Sequence, residues 1–164
     1  MTLGFGYFRP PPSDVAVTRF LVSPPEGALF EPTNLHQSIS PDGRRLAFLA
    51  RRRAGEPVLL WVRSLETVTP EALAGTEGAG TLFWSPDGRS IGFVAQDKLK
   101  TIAVAGGPAQ TLADAQREGG SWNRDGTIIF RSSEGHLLRV SEAGGTPVPV
   151  TALDTANGSD WTVC

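Results

Sequence analysis

The chain has 164 residues, with 15 Lys and Arg against 17 Asp and Glu and a formal net charge of −2. That balance provides no clustered basic face for nucleic acid, and no apolar run reaches the roughly 18 residues of a membrane-crossing helix. Gly at 19 and Pro at 13 suit many short strands joined by tight turns better than helices.

The first segment, residues 1–16, opens with Leu3-Gly4-Phe5-Gly6-Tyr7-Phe8 and stops at Arg9-Pro10-Pro11-Pro12. It reads as the last turns of a membrane span with an interfacial anchor, too short to span as it stands, followed by a stiff Pro-rich linker. It lacks the basic start and cleavage site of a signal peptide. Residues 17–33 form the next segment: Val17–Val22 alternates as a strand and Ser23-Pro24-Pro25-Glu26-Gly27 ends it.

Residues 34–160 carry a repeat. Ser40-Pro41-Asp42-Gly43 precedes Leu46-Ala47-Phe48, and Ser85-Pro86-Asp87-Gly88 precedes Ile91-Gly92-Phe93. Asn123-Arg124-Asp125-Gly126 is a worn third copy before Thr127-Ile128-Ile129-Phe130. Asp42 and Asp87 lie 45 residues apart, and Asp87 and Asp125 lie 38 apart. Pro presets φ, Asp bonds its own downstream backbone and Gly supplies positive φ, so each phrase is a turn that launches a strand. A period near 40 with strand-like filling is the signature of propeller blades.

The predicted strands follow in order. Blade one has Leu35–Ile39, Arg45–Ala50, Val58–Arg63 and Ala72-Leu73; blade two has Thr81–Trp84, Ser90–Ala95, Leu99–Val104 and Ala109–Leu112. Blade three has Gly120–Trp122, Thr127–Arg131, His136–Val140 and Val148–Val150. A second turn phrase keeps the 38-residue offset: Gly106-Gly107 and Gly144-Gly145, tandem glycines between short strands. Blade one has Leu65-Glu66-Thr67 there instead. The fold class is therefore all-β, a partial β-propeller of about three four-stranded antiparallel blades plus an N-terminal strand. Residues 161–164 read as the start of a truncated fourth blade. Three blades alone leave two apolar flanks in water, so the chain reads as a piece of a longer propeller or as a unit that self-associates to close.

Catalytic motifs fare poorly. Gly119-Gly120-Ser121-Trp122-Asn123 fails the nucleophile-elbow pattern at its last position and falls on an inner strand. Gly75-Thr76-Glu77-Gly78-Ala79-Gly80 lacks the Lys-Ser/Thr ending of a phosphate loop. His36 and His136 are the chain's two histidines, with no third ligand at useful spacing, and Cys164 is its one cysteine. Asp42, Asp87 and Asp125 are periodic, which suits turn capping rather than acid–base pairs. Trp61, Trp84, Trp122 and Trp161 suit packing between blades, with a ligand-facing aromatic as the alternative. Arg51-Arg52-Arg53 reads as a solvated turn, with an anion or lipid headgroup as the alternative. No catalytic residue, metal ligand or cofactor is assigned.

Phe83-Trp84-Ser85-Pro86-Asp87-Gly88-Arg89-Ser90-Ile91-Gly92-Phe93 resembles the WD40-like (PD40) repeat of TolB-type β-propellers, over about residues 34–160. Leu60–Leu65, Thr76-Glu77-Gly78, Leu99-Lys100 and Ala105-Gly106-Gly107-Pro108 are similar to the propeller region of bacterial membrane-bound serine/threonine protein kinases. That resemblance implies a preceding kinase domain and membrane helix and an extracytoplasmic, periplasmic-side propeller. No kinase signature is present in this chain. The expected role is a non-catalytic scaffold recognising a protein or peptide, with no nucleic acid, and with membrane contact only through the helix that the resemblance places before it. The least repetitive loops, 51–56, 75–80 and 114–119, are the candidate interaction surface through Arg51, Arg52, Arg53, Glu77, Arg117 and Glu118. The same repeat precedes prolyl-oligopeptidase-type hydrolase domains, so a substrate-gating propeller fragment is the alternative, beside a truncated product without independent function.

Overall fold

Turn phrases and apolar runs alternate along the chain, and the computed structural model converts each alternation into a hairpin. It describes residues 23–30, 37–67, 69–153 and 161–163. The strands are β1 (Leu29–Phe30), β2 (Gln37–Ile39), β3 (Arg45–Arg51), β4 (Val58–Ser64), β5 (Glu71–Ala72), β6 (Ala79–Trp84), β7 (Ser90–Ala95) and β8 (Lys98–Ala103). They continue as β9 (Gln110–Asp114), β10 (Gly120–Trp122), β11 (Thr127–Arg131), β12 (Leu137–Ser141), β13 (Val148–Pro149), β14 (Thr151–Leu153) and β15 (Trp161–Val163). Three antiparallel meanders result: β2-β3-β4-β5, β6-β7-β8-β9 and β10-β11-β12-β13. The all-β, three-bladed partial propeller expected from the repeat is what the chain forms.

Two strands had no sequence signal. β1 pairs with the far end of β3, Leu29 opposite Arg51 and Phe30 opposite Ala50, while β2 pairs the near end from Gln37 opposite Phe48. Both therefore lie along one edge of β3. A two-residue strand carries no period, so only the partner strand reveals it. β14 pairs with β15, Leu153 opposite Trp161, an arrangement the repeat does not announce. The strand expected at Val17–Val22 lies outside the described residues.

Packing is asymmetric between blades. Blade one turns Ala47, Leu49 and Leu60 toward Leu82, Ile91 and Phe93 of blade two. Blade two turns Val94 and Leu99 toward Ile128, Phe130 and Val140 of blade three. Five successive residues of β7, Ile91–Ala95, are consequently buried, as an apolar run covered on both faces should be. β11 alternates instead: Ile128 and Phe130 are buried, while Ile129 is 37% exposed. Leu137 and Val148 are exposed as well. The outward face of blade three is polar and apolar by turns, with Ser121, Ile129, Arg139 and Val148 in register.

Inner strand β6 contacts β2 on one side and β10 on the other. Phe83 makes the tightest fit there. A Cβ on Gly92, directly across the ladder, would run into the Phe83 ring, and one on Gly120 of blade three would sit 2.8 Å from its Cε1. Trp122 meets the same ring edge-on at 6.4 Å between centroids. Two glycines thus form the floor for one aromatic. Gly92→Ala is expected to destabilise the chain by about 1–3 kcal/mol through overpacking, read as a lower urea midpoint. An unchanged midpoint would show that Phe83 is free to move aside.

Candidate functional site

The repeated turn is a closed hydrogen-bond device. Ser40 Oγ donates to Asp42 Oδ1 at 2.5 Å, the Arg44 amide donates to the same oxygen at 3.0 Å, and the Arg45 amide donates to Ser40 Oγ at 2.9 Å. Blade two copies it: Ser85 Oγ to Asp87 at 2.7 Å, the Arg89 amide to Asp87 at 3.0 Å, and the Ser90 amide to Ser85 Oγ at 2.9 Å. Gly43 and Gly88 take φ of +72° and +68° and close the turn onto the Ser40 and Ser85 carbonyls. Pro41 and Pro86 stand at the second turn position, between that serine and its aspartate. In the third copy Asn123 replaces serine, and Asp125 accepts from the Thr127 amide at 2.9 Å, with Gly126 at φ +80°.

The three carboxyls are held below their ordinary value of 3.8. Ser40 and Ser85 hydroxyl bonds are the main cause at Asp42 and Asp87, and the Thr127 amide at Asp125. Each carboxylate is committed to its own turn, and the periodic aspartates are structural.

Because successive strands run antiparallel, connections alternate between the two ends of each sheet. The Asp-Gly turns share one rim with the third-to-fourth strand turns that hold Gly106, Gly107, Gly144 and Gly145, all at positive φ. The remaining hairpins and the inter-blade linkers share the other. Every residue singled out for interaction lies on that second rim. Arg51 Nη1 donates to the Glu56 carbonyl at 2.6 Å. Arg52 and Arg53 line a hollow of about 390 Å³ with Glu26, Glu56 and Trp61. Glu77 accepts from the Gly75 amide at 3.3 Å, and the Arg117 stem lies over Gly80. Glu118 forms an ion pair with Arg131. These residues are spread over one hairpin of blade one and the two inter-blade linkers rather than gathered at one point.

Among the described residues two further clefts lie on the first rim, away from the loops singled out in the sequence. Between blades two and three lies a cleft of about 700 Å³ lined by Ser85, Asp87, Thr101, Gln110, Trp122, Arg124 and Glu142. The Trp122 indole donates to Glu142 Oε2 at 2.9 Å, and Gln110 Nε2 reaches the Ala143 carbonyl at 3.4 Å. Between blades one and two lies its counterpart, about 520 Å³, at the same place in the repeat. A signal did exist: Glu142 stands where the neighbouring blades carry Val104 and Leu65, whereas Trp122 repeats Trp84 of blade two.

The tryptophans divide accordingly. Trp61 and Trp84 are buried and bond the Ala50 and Ser38 carbonyls, each at 3.0 Å. Trp122 is half-buried and borders the cleft. The side chain of Trp161 lies outside the described residues, as does His36. Ser121 is exposed on strand β10, which is not the strand-to-helix elbow of a nucleophile. Among the described residues no three His, Cys, Asp or Glu side chains are placed to share a metal ion, and no helix is long and apolar enough to cross a membrane.

No family model matches the chain. The uncharacterized peptidase YuxL of Bacillus subtilis (strain 168) is 29% identical over 131 residues, covering 73% of this chain and 18% of that protein. TolB from Acinetobacter baumannii is similar in structure, with TM-score 0.61 and 16% identity over 79% of this chain and 39% of that one. The β-propeller domain of the Trilobed protease from Pyrococcus furiosus gives TM-score 0.53 and 14% identity over 70% and 43%. The chain spans less than half the length of each, and what it shares with the two structures is the β-propeller fold.

The turns give stability a definite acid dependence. A depressed folded-state pKa stabilises the fold above the ordinary value and loses that contribution as pH falls through the folded value. Urea midpoints are therefore expected to drop below about pH 3.8, less steeply in Asp87→Asn. Parallel acid limbs in both proteins would contradict the turn's role.

Proposed function

We propose that the chain is a non-catalytic propeller scaffold that holds protein or peptide segments against the rim bearing the Asp-Gly turns. The observation that carries this reading is the pair of clefts at successive blade junctions on one rim. Each is walled by strand ends and by the turns between them, the arrangement in which loops and strand ends recognise while the sheets serve as the rigid scaffold. Half-buried Trp122, with its indole tied to Glu142, offers the aromatic anchor that dominates such contacts.

In its finer form the scaffold is the extracytoplasmic sensor part of a membrane-bound kinase-like protein, which rests on the residue resemblance at 60–65, 76–78 and 105–108. A second reading is favoured by the peptidase relative: a propeller portion gating substrate access to a prolyl-oligopeptidase-type hydrolase domain. A GxSxG-bearing α/β domain encoded directly downstream would select it.

Panning a displayed peptide library on the chain is expected to enrich segments whose binding weakens about tenfold in Trp122→Ala, the effect of a modest hot spot. Arg124→Glu, an exposed change on the same cleft, keeps the test valid if Trp122→Ala folds poorly. Arg52→Ala, on the opposite rim, should bind normally. Loss in Arg52→Ala alone would move the surface to the second rim.

A further inference from the structure

The two clefts occupy equivalent places in the repeat but differ in charge. Register fixes the equivalence: Arg45 opposes Ser64, Ser90 opposes Ala103, and Thr127 opposes Ser141. Arg45 of the first junction is therefore replaced by Ser90 in the second. Arg89 of blade two has no counterpart in blade three, whose turn closes one residue sooner: the Ser85 amide bonds the Ser90 carbonyl, whereas the Asn123 amide bonds that of Thr127. The turn folds without an arginine at either place, so the pair at the first junction is not required by the repeat.

Both arginines line the 520 Å³ cleft and both are exposed. Arg45 Nη1 makes one long bond, 3.4 Å, to the carbonyl of Gly88, the residue before Arg89. The guanidinium of Arg89 makes no hydrogen bond or ion pair among the described residues. The rest of the wall supplies hydroxyls from Ser64, Thr67 and Thr69, and Glu71 is the single carboxylate. Of the charged groups lining the cleft two are guanidiniums and one is a carboxylate. Asp42 and Asp87 also act on Arg45 and Arg89, but each is bonded within its own turn to a serine hydroxyl and a backbone amide. That leaves the guanidinium donors open, and hydroxyls complete the donor set that an oxyanion needs. The apolar floor, Val62 and Leu73, suits the stem of a side chain better than a free, fully hydrated ion.

We infer that this cleft is a subsite for an oxyanion carried on an extended peptide, an acidic side chain held between Arg45 and Arg89. The inference rests on the peptide-recognition reading above and specifies one end of that surface. The second cleft, with Trp122, takes the neighbouring apolar or aromatic residue along the same rim.

The test uses the whole chain and three probes: a fluorescein-labelled twelve-residue peptide rich in Asp and Glu around one Trp, its Asn/Gln isostere, and inorganic phosphate. Fluorescence anisotropy is expected to show the acidic peptide binding, weakening with added salt, and binding about tenfold more weakly in Arg45→Ala/Arg89→Ala. Arg44→Ala, which alters an exposed arginine of the preceding turn outside the cleft, should bind as the parent does. Phosphate should compete only at far higher concentration. Equal binding of the acidic peptide and its isostere overturns the oxyanion subsite while leaving peptide recognition in place, provided Trp122→Ala still weakens both. Phosphate competing as well as the acidic peptide overturns the peptide-borne claim and makes the cleft a free-anion site. No binding of either peptide overturns the subsite, and the library experiment then decides separately whether the rim recognises peptides.

Discussion

Face-to-face packing of blade two between its neighbours is the constraint on which the rest of this structure depends. A small antiparallel sheet cannot bury both faces by itself, and the residues of β7 leave no polar face to present to water. Blade one covers one side through Ala47, Leu49 and Leu60, and blade three covers the other through Ile128 and Phe130. Hydrogen bonds cross each junction too: Trp84 Nε1 donates to the Ser38 carbonyl, and the Gln116 amide donates to that of Arg131. Phe83 locks the inner edge, since two glycines on neighbouring strands are the only residue type that admits its ring so closely. Spacing and orientation of the blades follow from these contacts, and the clefts at the rim are what remains where the blades diverge.

Division of labour between the two rims follows from the meander. One rim gathers the Asp-Gly turns, whose carboxylates are consumed in holding their own backbone. Side chains not needed for the turn, such as Arg45 and Glu142, are then free to vary from blade to blade without disturbing it. The other rim carries the linkers between blades, and these are stitched down. Thr76, fully buried, accepts from the Leu60 amide and donates to the Leu73 carbonyl. Glu118 and Arg117 are likewise engaged with neighbouring strands or stems.

Most of the architecture was legible because a propeller blade announces itself locally. Ser-Pro-Asp-Gly presets its own dihedrals and bonds, so its recurrence marks the first hairpin of each blade regardless of tertiary context. Tandem glycines mark the third turn in the same way. β1 was illegible because two residues establish no period and exist as a strand only against β3. The clefts were illegible for a related reason: their walls come from residues some 40 positions apart, and which exposed residues meet across a junction depends on register. The least repetitive loops of the sequence are the 51–56 hairpin and the two inter-blade linkers, and the meander puts all three on the rim opposite the Asp-Gly turns. The more telling signal was irregular chemistry at regular positions, such as serine at 90 where blade one has arginine at 45.

Native-state hydrogen exchange tests the central role of blade two most directly, because it reads the protection of each strand in one experiment. The account predicts the slowest exchange in β7 and β8, covered on both faces, with β11 and β12 of blade three exchanging measurably faster through their exposed side. Protection in β11 equal to or greater than that in β7 would contradict it, and would mean that the stability of the stack resides elsewhere than in the sandwiched blade.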